Sequence, residues 1–337
     1  MSSNVLIIYT GGTIGMQMSE EGYVPVAGFE ALLRERLNAG AAMQLPNFDV
    51  LEFEHLIDSS NLQPHHWNKI AAQLQANWDR YDGFIVLHGT DTMAYSASAL
   101  SYMMQGLDKP VIFTGSQIPL TELRNDALDN LLTALILAGN YPLNEVSVFF
   151  NGRLLRGNRS SKLKSTGFDA FDSPNFPWLG QAGIHIDLHR HLLLPKREQR
   201  FMNPEFAEDA VRVLPVYPGI SAAVARDLLA PVHVKGLVMI SYGVGNPPDA
   251  NTELMDILAA ATARGVVIVN LTHCLQGRVS QGAYATGQTL NTIGVLPGSD
   301  LTLEAAFSKL HFLLATEPSP DDVRRLMAES VCGELSG

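Results

Sequence analysis

The chain has 337 residues, 46% of them hydrophobic, and a formal net charge of −11 from 34 Asp and Glu against 23 Lys and Arg. That acidic balance argues against sequence-independent nucleic-acid binding, which depends on clustered Lys and Arg, and against docking on anionic membranes. Single cores stop growing at ~250–300 residues, so two domains are expected.

Cysteine usage and the N-terminus point to a compartment. Two cysteines, Cys274 and Cys332, are too few for a disulfide framework and fit a reducing environment. Met1-Ser2-Ser3-Asn4 carries no basic region, and the apolar run Val5–Ile8 is too short for a signal-peptide core. No run approaches the ~18 apolar residues of a membrane span. A cytoplasmic location without membrane contact is therefore expected.

In chain order, Val5–Tyr9 reads as a buried strand, and Phe29–Asn38 has helical spacing that ends near Gly40. Asp49–Leu56 alternates like a strand, Pro64–Trp78 reads as a helix and Gly83–Leu87 as a strand. A helix over Thr92–Gln105, a strand over Val111–Thr114, a helix over Asp126–Ala138 and a strand over Val146–Phe150 follow. Strand and helix in alternation imply βαβ units, a mostly parallel sheet and helices packed on it.

Residues 152–215 break that rhythm. Arg153–Lys164 is basic and polar, Phe168–Gly180 is rich in Pro, Asp and aromatics, and His185–Arg200 is weakly patterned. This stretch reads as active-site loops followed by a linker. Strands then recur at Val211–Val216, Gly236–Ile240 and Val266–Asn270, with helices at Gly219–Leu229, Asn251–Ala263, Leu301–Leu314 and Ser319–Glu329. The expected division is an N-terminal catalytic α/β domain over 1–190, a linker over 191–212 and a smaller α/β domain over 213–337.

Two phrases stand out. Tyr9-Thr10-Gly11-Gly12-Thr13-Ile14-Gly15 follows the run Val5–Ile8, and His88-Gly89-Thr90-Asp91-Thr92-Met93 follows Phe84–Leu87. Each puts a threonine in a glycine-containing turn at the carboxyl end of a strand, the edge where open α/β sheets bind ligands. A hydroxyl there acts as a nucleophile if a base is near. Thr13 lies ten residues before Tyr23, across a polar stretch from Met18 to Gly22 that could form a flap. Tyr23 is then either a proton relay or a packing residue, and Gly-Gly-Thr is either a site or a plain turn. Asp91 is a helix cap or a grip on a substrate ammonium. Lys162 is the candidate base for Thr90, because lysine shifts its protonation readily when part-buried. Asp58, Ser59 and Ser60 offer donors suited to an α-carboxylate, or else an N-cap cluster for the helix from Pro64.

Other signals read as structural. His185, His189 and His191 lack a matching carboxylate arrangement, so no metal is expected. Gly11–Gly15 has neither the dinucleotide fingerprint nor the Walker ending. His65 and His66 read as surface groups, and Cys274 as a small, buried and inert residue after a strand.

Taken together, these phrases closely resemble the two threonine signatures of the bacterial-type L-asparaginases. Asp58-Ser59-Ser60, Thr114-Gly115-Ser116-Gln117-Ile118-Pro119, Arg156-Gly157-Asn158-Arg159, Gly167–Phe171, Tyr217–Ile220 and Ser241–Asn246 are similar to the cytoplasmic, type I members. The resemblance implies hydrolysis of L-asparagine to L-aspartate and ammonia without a cofactor, in a homodimer or homotetramer. It implies Thr13 as nucleophile, forming a β-aspartyl ester, and Tyr23 as its relay partner on the flap. Thr90, Asp91 and Lys162 would form a second triad, with Asp91 on the α-ammonium, Ser59 on the α-carboxylate, and Asp58 and Ser60 beside it. Some type I members carry a second, allosteric asparagine site that uses an arginine where this chain has Ile240. Thr272 and Cys274 resemble its other partners. A glutaminase-asparaginase, the amidase subunit of a tRNA-dependent amidotransferase, and an amino-acid-binding regulator without turnover are the alternatives.

Overall fold

The computed structural model describes residues 3–20, 22–25, 27–37 and 45–336. It comprises two compact units, Met1–Ser173 with Pro177–Asn203 and Pro174–Phe176 with Pro204–Gly337.

The first unit is built on an eight-stranded sheet. Its strands in chain order are β1 (Asn4–Tyr9), β4 (Asn47–Glu52), β5 (Gly83–Leu87), β7 (Val111–Thr114), β8 (Val146–Phe150), β9 (Arg153–Arg156), β12 (Gly180–Ala182) and β13 (Ile186–Leu188). Three pairs of short strands complete the unit: β2 (Met16–Ser19) with β3 (Gly22–Pro25), β6 (Met104–Gln105) with β14 (Arg200–Phe201), and β10 (Ser161–Lys162) with β11 (Phe171–Asp172). Across the main sheet the order is β13-β12-β9-β8-β7-β5-β1-β4. The five strands from β4 to β8 pair in parallel, and β9, β12 and β13 add antiparallel at one edge. Strands β5, β7 and β8 are buried at every position, as continuous apolar runs in a covered parallel sheet must be.

Helices Phe29–Arg36, Pro64–Asn77, Met93–Met103 and Ala127–Asn140 belong to this unit. Ala127–Asn140 packs against β1, β5, β7 and β8. Some expected bounds change. The helix expected over Thr92–Gln105 stops at Met103, because Met104 and Gln105 pair with Phe201 and Arg200. The strand expected over Asp49–Leu56 ends at Glu52, beyond which the chain turns toward Ile57. Asn38 and Gly40, the expected end of the first helix, lie outside the described residues, as does Glu21 of the flap stretch.

The second unit carries a four-stranded parallel sheet, β15 (Val211–Pro215), β16 (Gly236–Ser241), β17 (Val267–Thr272) and β18 (Leu296–Pro297), in that order. Its core gathers Leu214, Leu237, Met239, Leu258 and Ile268. Helices Ala222–Leu229, Thr252–Ala263, Leu303–Thr316 and Pro320–Ala328 start on side-chain caps from Ser221, Asn251, Thr302 and Ser319. A helix over Ala285–Thr292, a stretch with no apolar periodicity, is an addition to the expected elements.

The stretch 152–215, expected as loops and linker, holds strands β9 to β14. Within the expected linker, 191–212, Arg200–Phe201 pairs inside the first unit, and Val211 opens the sheet of the second. The contact boundary falls after Asn203, with residues 174–176 grouped with the second unit.

Candidate active site

Strand order alone brings four turns together. β1 lies between β4 and β5, and β5 is followed by β7. Because these strands are parallel, the segments after Tyr9, Glu52, Leu87 and Thr114 all leave the same edge. The connections diverge on either side of β1, the kind of switch point at which such sheets bind ligands.

The first three turns are wedged backbone to backbone. Gly12 has φ +93°, and a Cβ there would fall 2.5 Å from Gly89 Cα. A Cβ on Gly11, at φ +126°, would fall 2.8 Å from Ile57 N. One on Gly89 would fall 2.6 Å from Ser59 Cβ. Glycine is thus required by space at all three positions and by conformation at two. Hydrogen bonds close the gaps: Thr10 Oγ1 donates to Leu87 O at 2.8 Å, Ile57 N to Thr10 O at 2.7 Å, and Thr92 Oγ1 to Ser59 O at 2.8 Å. Thr13, itself half-buried, therefore follows a glycine that packs on the turn of buried Thr90, and that turn packs on buried Ser59.

Lys162 arrives from β10, 72 residues beyond Thr90. Its Nζ donates to Thr90 Oγ1 at 2.8 Å and to Asp91 Oδ1 at 2.7 Å. Asp91 is 60% exposed while the lysine side chain is 19% exposed, so the carboxylate faces solvent and is open to a charged ligand. Asp58 Oδ1 accepts from Ser60 N at 3.0 Å, which shapes the turn that carries Ser59.

Beneath the second turn, His88 is buried. Its Nδ1 is 2.8 Å from Gly89 O and its Nε2 2.9 Å from Ser96 Oγ. A carbonyl only accepts, so Nδ1 carries the proton and Nε2 accepts from the serine. Burial pushes the imidazole down to about 4, which keeps it neutral and makes it a prop for the turn.

Tyr23 stands on β3 of the hairpin that follows Thr13. Its phenol donates to Glu122 Oε1 at 3.0 Å, not to Thr13, and that hydrogen bond raises it above the usual phenol range. The residue is 42% exposed. A relay from Thr13 to Tyr23 would draw on a phenol that here is hydrogen-bonded to Glu122.

Residue-type reasoning passes over Gln117, Asp126 and Glu122. The signal for the first is a third apolar run, Val111–Phe113, ending in a glycine turn. Gln117 Oε1 accepts from Thr90 Oγ1 at 3.2 Å. Asp126, 7% exposed, accepts from the main-chain nitrogens of Gln117 and Ile118 at 3.0 to 3.1 Å and so templates that turn.

The remaining candidates are placed within their own elements. Ile240 pairs with Leu271 across β16 and β17. Thr272 Oγ1 donates to Gly243 O at 2.5 Å and accepts from Cys274 N at 3.0 Å, and Cys274, expected to be buried, is instead an exposed free thiol in the turn that leaves β17. His189 and His191 have ring centroids 6.2 Å apart, and His189 Nδ1 bonds Trp178 O at 2.8 Å. Among the described residues no group of three His, Cys, Asp or Glu side chains could hold a metal ion, and no helix is long and apolar enough to cross a membrane.

Comparison with known proteins agrees with this architecture. Residues 4–194 match the family model "Asparaginase, N-terminal", and residues 210–327 match "Glutaminase/Asparaginase C-terminal domain". L-asparaginase 1 of Escherichia coli K12 is 48% identical over 333 residues, covering 99% of this chain and 98% of that protein. The crystal structure of L-asparaginase I from Vibrio cholerae superposes with a TM-score of 0.90 at 45% identity over all of both chains. The thermostable L-asparaginase from Thermococcus kodakarensis superposes with a TM-score of 0.89 at 30% identity over 99% of each.

Proposed function

We infer the function from one premise: the chain belongs to the asparaginase family. It is an amidohydrolase that converts L-asparagine to L-aspartate and ammonia. The observation that carries this to a site is Lys162 Nζ, held within hydrogen-bond distance of both Thr90 Oγ1 and Asp91 Oδ1 at the edge where Thr13 also lies.

An amide is a poor electrophile, and hydrolysis needs a nucleophile, a base and donors for the developing oxyanion. In our reading the Thr13 hydroxyl oxygen attacks the side-chain amide carbon. Its proton passes by way of Tyr23, whose phenol donates to Glu122. The carbon–nitrogen bond breaks, the nitrogen takes up a proton and leaves as ammonia, and a β-aspartyl ester remains on Thr13. Water then adds to the ester, its proton returns to the threonine oxygen, and L-aspartate departs. Thr90 and Lys162 form the second hydroxyl–base pair. Main-chain N–H groups of the adjoining turns stabilise the oxyanion.

The ends of the amino acid are held by charge and by oriented donors. Exposed Asp91 suits the α-ammonium. Ser59, with Asp58 and Ser60 beside it, suits the α-carboxylate. The chemistry uses only water and these side chains, with no cofactor. A cytoplasmic location and a homodimer or homotetramer belong to the same proposal and draw on the resemblance to type I members.

The test is ammonia release from L-asparagine and L-glutamine side by side, with the native chain and Thr13→Ala. The expected result is asparagine-selective release that falls at least about a thousandfold in the variant. One methylene is worth only ~1–3 kcal/mol of discrimination, so some glutamine turnover is compatible. Equal turnover of both amides would make the enzyme a glutaminase-asparaginase. No release from either would remove the enzymatic reading.

A further inference from the structure

Resting on the asparaginase reading above, we propose that Gln117 is a positioning residue for Thr90: anchored from behind by two main-chain carbonyls, its side-chain carbonyl sets the direction of the Thr90 hydroxyl and, through it, the pairing of Thr90 with Lys162.

The argument is one of hydrogen-bond bookkeeping. Gln117 Nε2 lies 3.1 Å from Ser165 O and 3.1 Å from Gly167 O. Two carbonyl oxygens can only accept, so the amide must turn its NH2 toward them. Its oxygen then necessarily faces Thr90 Oγ1, at 3.2 Å. That oxygen cannot donate, so the threonine does. With its proton pointed at Gln117, Thr90 Oγ1 presents its lone pairs to Lys162 Nζ, 2.8 Å away on the other side. Three side chains are thereby fixed in a single sense: lysine to threonine, threonine to glutamine, glutamine to main chain.

The glutamine is itself held. Its main-chain nitrogen donates to both oxygens of Asp126, at 3.1 and 3.0 Å. Asn130 Nδ2 donates to Gly115 O at 3.0 Å two residues earlier. The two carbonyls it grips follow Lys162 by three and five residues, in the segment joining β10 to β11. One side chain therefore couples the Thr90 turn to the segment that carries the lysine.

The test uses the full chain with Gln117→Met and Gln117→Glu. Methionine keeps the length and loses both acceptor and donors. Glutamate keeps an acceptor for Thr90 and loses the donors to residues 165 and 167. The expected order of kcat on asparagine is native, then Glu, then Met. The Met variant should fall about ten- to a hundredfold while KM moves less than about twofold. A merely structural glutamine would lower the unfolding midpoint and leave this kcat order absent. A Met variant with native kcat, or a rise in KM alone, overturns the proposal. If the Met chain does not fold, the Glu chain decides, since a several-fold fall in kcat at unchanged KM supports the proposal and an unchanged kcat overturns it. A native chain that releases no ammonia from asparagine overturns the asparaginase reading and this inference with it. Native turnover with unaffected variants overturns the inference alone.

Discussion

Gly12 and Gly89, 77 residues apart, meet so closely that a Cβ on Gly12 would fall 2.5 Å from Gly89 Cα. This contact joins the turn of Thr13 to the turn of Thr90. It also explains why the first threonine phrase has glycine at position 12: the backbone of the second turn occupies the space a side chain would need there. The candidate site is thus held together by close packing at a sheet edge, and the hydroxyls proposed to react are carried on it.

Gly12→Ala should therefore strike both activity and stability. The left-handed φ of +93° is strained for alanine, and the new methyl group overlaps Gly89. Strain and overpacking together should destabilise the chain by about 2–4 kcal/mol. Urea unfolding measures the loss, and ammonia release should fall with it even in the folded fraction. An active, equally stable variant would mean that the two turns are not in contact.

Lys162→Met separates chemistry from stability. The ion pair with Asp91 involves a carboxylate 60% exposed, and such pairs contribute ~1 kcal/mol or less. The unfolding midpoint should hardly move. If Lys162 is the base proposed for Thr90, its removal should lower kcat by about 10² to 10⁴. Steady-state ammonia release against a thermal melt checks both halves, and a variant with native kcat would take Lys162 out of the mechanism.

Strands β5, β7 and β8 begin and end where the apolar runs Gly83–Leu87, Val111–Thr114 and Val146–Phe150 do, because a strand buried on both faces must be apolar throughout. Strand β12, Gly180-Gln181-Ala182, carries no such pattern and pairs through its backbone with β9 and β13, so its place in the sheet is legible only in three dimensions. The helix Ala285–Thr292, with no buried apolar stripe in its sequence, is hidden for the same reason. At the site, Thr13, Thr90 and Asp91 announce themselves by turn chemistry next to a strand. Lys162 is recognisable as a residue type, but its partner lies across 72 residues. Gln117 has no distinguishing local signal beyond its glycine turn, and its importance comes from contacts with Thr90, Ser165 and Gly167.

Stability should fall as pH drops from about 6.5 to about 4. His88 and His311 are each held by burial at about 4, against an ordinary 6.5. Between those values the unfolded chain binds protons that the folded chain does not, so acid favours unfolding. At full titration each imidazole accounts for about 3 kcal/mol. Asp209, lowered to about 2 chiefly by its hydrogen bond from Arg212, titrates beneath this window. Denaturant unfolding at pH 7.5, 5.5 and 4.5 should show the decline, and His88→Gln should flatten part of it. A constant stability over that range would show that these imidazoles protonate freely in the fold.

Asparagine saturation should follow a hyperbola. The resemblance implies that where some type I members meet an allosteric ligand carboxylate with an arginine, this chain has Ile240, on β16. An aliphatic side chain offers a carboxylate neither charge nor the two parallel N–H donors of a guanidinium. The neighbouring Thr272 hydroxyl is already committed, donating to Gly243 O and accepting from Cys274 N. A second asparagine would then bind without the differential affinity that cooperativity requires. Initial rates measured to millimolar asparagine should give a Hill coefficient of about 1. Light scattering on the same samples would establish that assembly stays constant. A sigmoidal curve under that condition would show that a second site operates without the arginine.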